Sequence, residues 1–265
     1  MKLTVLGAGC WGLTIARLLN NNFDEICIWG RTQDLSEELI KDKRTTKPLL
    51  VELDKKVEIT DNLKNAIEGA EIILLVVSTS GIRSVCSQLK EIGLKDNQIL
   101  VNLSKGLELP SLKRMSEVIK EELPKSKLVV LSGPTLAKEI LNGCPTGASV
   151  ASENQEAMKF IQRHLNVPSK FRLYTNSDVI GVELGGSLKN VIAIGFGILD
   201  GALYPESSRF LFLTEAIYEI TYLIKKLNGN TNTIMSYAGI DDIMMTCTSS
   251  KSRNYSFGSL IGKGS

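Results

Sequence analysis

Apolar runs of strand length alternate with stretches of helical spacing through the first two thirds of the chain. Leu3–Leu6, Glu25–Trp29, Ile72–Val77, Ile99–Leu103, Leu128–Leu131 and Ala148–Ala151 read as short buried strands. Between them, Trp11–Leu19, Asp61–Glu68, Ile82–Ile92, Leu112–Leu123 and Asn154–Leu165 carry the spacing of amphipathic helices, with end signals such as Asp61 before the second and Gly69 after it. Alternation of this kind predicts an α/β fold, a doubly wound and mostly parallel sheet with helices on both faces. From about Thr175 the pattern changes. Val182–Leu199, Thr214–Leu227 and Thr231–Met245 are all helix-like, parted by turn signals at Asn228-Gly229-Asn230 and Ala238-Gly239. The expected organisation is a sheet domain over 1–178, then a smaller all-helical domain over 179–265.

The junction of the first strand and first helix reads Gly7-Ala8-Gly9-Cys10-Trp11-Gly12, a G-x-G-x-x-G sequence. In this context the first glycine permits the tight turn, the second lets the backbone approach a pyrophosphate, and the third lets helix and strand pack closely. The helix N-terminus adds free N–H groups and a positive dipole end. The first domain is therefore Rossmann-type, with Gly7, Gly9, Cys10, Trp11 and Gly12 at the cofactor, NAD or NADP. The second strand ends in Trp29-Gly30-Arg31-Thr32, without the acid that would take the ribose 2′-hydroxyl. Arg31 can pair with a 2′-phosphate or lie on adenine; a solvated loop arginine is the equal alternative, and cofactor preference stays open.

Composition narrows the partners. Among 265 residues, 31 Lys and Arg balance 29 Asp and Glu without basic blocks, which argues against nucleic acid. Five cysteines, odd in number and never in a C-x-x-C pair, argue against a metal centre or a disulfide framework. The sequence opens directly on a strand pattern, with no leader-like segment, so a cytoplasmic location is expected. The most apolar stretch, Asn190 to Leu203, is interrupted by glycines and Asp200, so no membrane span is expected.

A carbonyl reductase needs a general acid near the hydride path. The one histidine, His164, ends a polar-faced helix with no acid beside it and reads as a surface residue. Lys189 is the one ammonium inside an otherwise apolar helix, a setting that favours the neutral form and proton transfer near neutral pH; a snorkelling structural lysine is the alternative. Lys105, in Asn102-Leu103-Ser104-Lys105-Gly106, follows a strand expected to end at the same sheet edge as the glycine loop, where ligands bind. Ser132-Gly133-Pro134-Thr135-Leu136-Ala137 is a tight turn that offers N–H groups to a substrate, or else a plain helix start. Ser249-Ser250-Lys251-Ser252-Arg253-Asn254 is a donor-rich loop suited to a phosphate monoester, although such loops are more often ordinary surface.

Taken together, Gly-Ala-Gly-x-Trp-Gly at 7–12, Asn-x-x-Lys-Gly at 102–106, Ser-Gly-Pro at 132–134, Val-Glu-Leu-Gly-Gly-x-Leu-Lys-Asn at 182–190 and Ser-Arg-Asn at 252–254 resemble the bacterial NAD(P)-dependent glycerol-3-phosphate dehydrogenases. The resemblance covers essentially the whole chain in order. It implies reversible reduction of dihydroxyacetone phosphate to glycerol 3-phosphate for glycerophospholipid synthesis, with no metal. It also implies Lys189 as the acid/base, and Lys105 polarising the carbonyl oxygen and touching the cofactor. By the same match Asp242 and Thr246 orient the lysine and the substrate hydroxyls, and Ser252, Arg253 and Asn254 hold the phosphate. Arg253 also reaches the cofactor, Gly133 and Thr135 complete the substrate side, and Ala137 lies by the cofactor.

Departures from the family pattern leave an alternative: a catalytically impaired member that binds cofactor or glycerol phosphate. A dehydrogenase acting on a different small carbonyl compound is another. Ser207, Arg209 and Glu215 stand where the family has Asn, Lys and Arg, and Asp241 adjoins Asp242 where a glycine is usual. Two adjoining acids near a phosphate are unfavourable unless Asp241 points away. The sequence also stops before the family's last helices, so the helical domain is expected to be incomplete, to expose apolar surface and to recruit a second subunit as a homodimer.

Overall fold

In the first domain, strands form where both faces of the chain are apolar. Ile72-Ile73-Leu74-Leu75 is fully buried throughout, which requires helices on both sides of the sheet. The computed structural model describes residues 1–264; Ser265, the last residue of the expected helical domain, lies outside them. The chain runs β1 (Lys2–Leu6), α1 (Cys10–Leu18), β2 (Glu25–Trp29), α2 (Glu37–Asp42), β3 (Arg44–Thr45), β4 (Val51–Glu52), β5 (Glu58–Thr60), α3 (Leu63–Ile67), β6 (Ile72–Leu75), α4 (Thr79–Ile92), β7 (Ile99–Asn102) and α5 (Met115–Glu122). It continues through β8 (Lys127–Ser132), α6 (Ala137–Leu141), β9 (Thr146–Ala151), α7 (Gln155–Leu165) and β10 (Phe171–Asn176) into the helices α8 (Val179–Gly201), α9 (Glu206–Lys226), α10 (Asp242–Thr248) and α11 (Arg253–Gly262).

Eight strands form one sheet in the order β10-β9-β8-β7-β6-β1-β2-β5. All neighbours are parallel except β8 and β9, which pair antiparallel. Alternate residues of one strand feed opposite layers. Ile72 and Leu74 pack with Leu13, Ile15 and Ala16 of α1 and with Ile161 of α7, whereas Ile73 and Leu75 pack with Ile82 of α4 and Ile119 of α5. The helical part has its own core of Leu184, Phe196, Leu213, Ile220, Ile224 and Ile243. It meets the sheet where Val182 packs against Val130, Ala151 and Ala238. This is the Rossmann-type α/β architecture followed by helices.

Several elements differ from the sequence expectation. β5 and β10 carry too little apolar signal to stand out. β10 is Phe-Arg-Leu-Tyr-Thr-Asn, buried only at Phe171 and Leu173, as suits an edge strand. The helix expected from Leu112 starts at Met115, because residues 107–114 fold into a bridged turn with Leu112 at positive φ. The single helix expected over Thr231–Met245 is a short 3-10 turn, a wide turn at Tyr237–Asp241 and then α10; Gly239 breaks it with φ −101° and ψ −111°. The polar loop expected to run through Asn254 ends at Ser252, whose hydroxyl caps α11 by accepting from the Tyr255 N–H. The no-span expectation also needs amending: α8 is long and apolar enough by composition to cross a membrane, but 61% of its most apolar window is buried within the protein. It is the central helix of the helical layer.

Candidate active site

β1, β6, β7 and β8 run in the same direction, so the loops that follow them gather at one edge of the sheet. Gly7 takes φ +131° in the first loop, and a Cβ there would come within 2.7 Å of the Val76 carbonyl oxygen. A Cβ on Gly12 would stand 1.9 Å from the Gly7 carbonyl oxygen, so α1 abuts the loop as closely as backbone allows. In front of Gly9, by contrast, there is open space, and Gly9 gives α1 no side-chain cap. The first-turn N–H groups of α1 therefore face an open concavity, the environment a pyrophosphate requires. A cleft of about 310 Å³ lined by Ala8, Gly9, Cys10, Asp34 and Thr45 adjoins it. Trp11 packs against the sheet core, and Ala137 opens α6. Arg31 is exposed and paired with Asp34 at 2.7 Å, close to the end of β2.

Three charged side chains meet over this edge. Asp242, wholly buried at the start of α10, accepts from Lys189 on one oxygen and from Lys105 on the other at 2.8 Å. Lys105 also donates to the Gly133 carbonyl at 2.5 Å, which ties the loops after β7 and β8 together. Lys189 is buried, and burial pushes its ammonium down to about 8; the Lys105 charge acts in the same direction, while Asp242 opposes both. Lys189 thus points inward to a carboxylate and does not snorkel. Thr246, also buried, donates its hydroxyl to the Asp242 carbonyl one turn back. Thr135 turns its hydroxyl and its N–H towards the Gly133 carbonyl, at 3.3 Å and 2.8 Å.

The remaining candidates lie at the first turn of α11. Ser252 is its cap, Asn254 donates to the Asn190 side chain at 2.8 Å, and Arg253 is exposed. Burial pushes the Cys10 thiol up while the Arg253 charge opposes that shift, which puts Arg253 within electrostatic reach of the glycine loop. The altered segment after Gly201 is a short turn into α9. Arg209 pairs there with Asp200, which also accepts from the Tyr255 hydroxyl at 2.5 Å, so Arg209 fastens helices together. Glu215 faces outward on α9, and Asp241 is exposed while Asp242 is buried, so the two adjoining acids do not share an environment. His164 is half-buried in the last turn of α7, its Nδ1 at 2.8 Å from the Phe160 carbonyl oxygen.

Two participants in this neighbourhood were not singled out from sequence. Asn190 follows Lys189 and meets Asn254, and Glu183 is a second buried charge on α8. The Glu183 signal was the same as that of Lys189, a lone ion within an apolar helix.

The model of the NAD-dependent glycerol-3-phosphate dehydrogenase N-terminus matches residues 2–158, and that of the C-terminus matches residues 178–265. The glycerol-3-phosphate dehydrogenase [NAD(P)+] of Thermoanaerobacter sp. (strain X514) is 44% identical over 264 residues, 100% of this chain and 79% of the relative. Its counterpart from Fusobacterium nucleatum is 41% identical over 267 residues, again 100% of this chain and 79% of the relative. Among solved structures, glycerol-3-phosphate dehydrogenase from Coxiella burnetii superposes with a TM-score of 0.91 at 31% identity, covering 100% of this chain and 81% of that one.

Proposed function

Because this chain belongs to the NAD-dependent glycerol-3-phosphate dehydrogenase family, we propose that Lys189 is the proton donor of its reaction, with Lys105 and Asp242 setting the charge around it. The enzyme is an oxidoreductase that reversibly reduces dihydroxyacetone phosphate to sn-glycerol 3-phosphate with NADH or NADPH. The bound nicotinamide supplies the hydride; the residues of the chain bind, orient and move the proton. The reading of the enzyme as an inactive binding protein finds no support among its relatives.

The observation that carries the assignment is one wholly buried carboxylate shared by two lysines. Two ammonium groups against one carboxylate leave a net positive charge in a site of restricted solvent access, suited to the oxygen that becomes negative as hydride arrives. With its ordinary value lowered to about 8, Lys189 is still protonated at neutral pH but gives up its proton at little cost. Lys105, anchored on the Gly133 carbonyl, adds a second donor to the same oxygen and borders the cofactor. Asp242 keeps both lysines aimed, and Thr246 braces the turn that carries it. Gly133 and Thr135 line the substrate side. Ser252, Arg253 and Asn254 hold the phosphate at the positive end of α11, with Arg253 also reaching the cofactor. Gly7, Gly9, Cys10, Trp11 and Gly12 form the pyrophosphate turn, and Arg31 and Ala137 border the cofactor.

The proposed division is a nucleotide-binding domain over 1–178 and a helical substrate domain over 179–265, a reading supported by the change from β10 to α8. The product feeds glycerophospholipid synthesis. Five unpaired cysteines suit a reducing, cytoplasmic compartment. Leu211, Tyr218 and Tyr222, exposed along one stripe of α9, are covered by a second copy in a homodimer. The deciding experiment follows NADH and NADPH oxidation with dihydroxyacetone phosphate for the intact protein and Lys189→Ala. Loss of ~10²–10⁴ in kcat supports the role of Lys189; undiminished turnover removes it.

A further inference from the structure

Glu183 precedes Lys189 by less than two turns of α8, yet it faces the other layer of the molecule. Its carboxylate is buried and accepts three hydrogen bonds from the start of α5: the Ser116 N–H at 2.7 Å, the Ser116 hydroxyl at 2.5 Å and the Arg114 guanidinium at 2.9 Å. A buried ion pair contributes little net stability compared with apolar packing, but it fixes direction. The stretch of α8 between Glu183 and Lys189 does need such fixing. A Cβ on Gly185 would stand 2.3 Å from the Ala238 carbonyl oxygen, and one on Gly186 would stand 2.3 Å from the Ser132 hydroxyl. The two glycines bring α8 against the turn leading to Asp242 and against the strand end leading to Gly133. At such close approach there is little slack, so a small shift of α8 moves Lys189 relative to both neighbours.

We propose that Glu183 is a positioning residue, whose three bonds to Ser116 and Arg114 fix the rotation and axial register of α8 so that Lys189 reaches both Asp242 and the substrate oxygen. The proposal rests on the reading of Lys189 as proton donor. Arg114 is steadied in turn by Glu117 at 3.2 Å, so the anchor belongs to the N-terminus of α5 and hence to the nucleotide-binding layer. Helix and sheet layer are thereby coupled at a point that touches no substrate. A displacement of about 1 Å at a reacting group is enough to cost on the order of 10²-fold in rate.

The test compares Glu183→Gln, Ser116→Ala and Lys189→Met with the unaltered enzyme in kcat, KM, the NADH dissociation constant, the pH profile of carbonyl reduction and the melting temperature. Glu183→Gln keeps the side-chain shape and is expected to lower kcat ~10- to 100-fold with NADH binding unchanged. Its alkaline limb is expected to move to lower pH, because Asp242 raises the Lys189 value and a displaced helix weakens that contact. Ser116→Ala removes one of the three contacts, that of the hydroxyl, and leaves the Ser116 N–H and the Arg114 guanidinium in place, so it shifts the same readouts in the same direction by less, and it decides the matter if Glu183→Gln does not fold. Wild-type kcat and an unmoved pH limb in the folded variants, with only the melting temperature changed, would overturn the proposal and leave Lys189 in place. Full turnover by Lys189→Met would overturn both readings.

Discussion

Lys189 sits under two opposing demands: burial drives its proton off, and Asp242 holds it on. For the proposed proton donor, a value of about 8 predicts opposite pH dependences for the two directions of the reaction. Carbonyl reduction needs the ammonium, so its kcat is expected to fall as pH rises through about 8; glycerol 3-phosphate oxidation needs the free amine and is expected to rise over the same range. The same shift bears on stability. The folded value lies below the ordinary 10.5, so the stability linked to this group is complete above 10.5 and is lost as pH falls through about 8. Lys189→Met is therefore expected to abolish turnover without lowering the melting temperature at pH 7, which calorimetry checks. Arg31 poses a separate question, because its partner Asp34 competes with any 2′-phosphate. Arg31→Ala is expected to raise KM for NADPH more than KM for NADH; an equal rise for both would assign Arg31 to adenine stacking.

α11 shows how the packing of a whole element places the side chains of its first turn. Gly197 and Gly201 of α8 lie against the Tyr255 and Ser259 carbonyls, while Gly258 and Gly262 of α11 lie against the Ile194 and Ile198 carbonyls. This reciprocal contact brings the two helices to backbone distance, and Asn190–Asn254 and Asp200–Tyr255 close its ends. The first turn of α11, with Ser252, Arg253 and Asn254, takes its position from that crossing. A Cβ at Gly258 would stand 2.1 Å from the Ile194 carbonyl oxygen, so Gly258→Ala must push the helices apart. Steady-state kinetics should then show KM for dihydroxyacetone phosphate raised ~10-fold, the equivalent of ~1.4 kcal/mol, with a smaller change for NADH.

The molecule as a whole places its most apolar helix at its centre. α8 packs against α9, α10, α11 and the sheet, and its two buried ions, Glu183 and Lys189, find partners in opposite layers. α9 lies outside it and shows Leu211, Tyr218 and Tyr222 to solvent at 62%, 67% and 58% exposure. Residues seven and eleven apart fall on one side of a helix, so the three form a continuous stripe. The proposed homodimer is expected to appear in sedimentation equilibrium at micromolar concentration, and Tyr218→Glu to yield monomers. A monomer throughout, before any substitution, would remove that proposal.

The sequence alone determined the alternation of strands and helices, the glycine turn, the change to helices near Thr175 and the singling out of Lys189 as an ion in apolar surroundings. Each of these is a local signal: a period, a steric requirement, or a single ion in apolar surroundings. Where the local signal was weak, the reading failed. β5 and β10 are short and half polar, the helix expected over Thr231–Met245 breaks at Gly239, and α11 begins inside what looked like a polar loop. Only the tertiary structure decided that Lys105 and Lys189 share Asp242, at sequence separations of 53 for Lys189 and 137 for Lys105. Nor could the sequence tell that Arg209 is spent on Asp200, that Asp241 turns out while Asp242 turns in, or that Glu183 reaches Ser116. Partners so far apart along the chain leave no periodic trace, and a charge declares that it needs a partner without declaring which one.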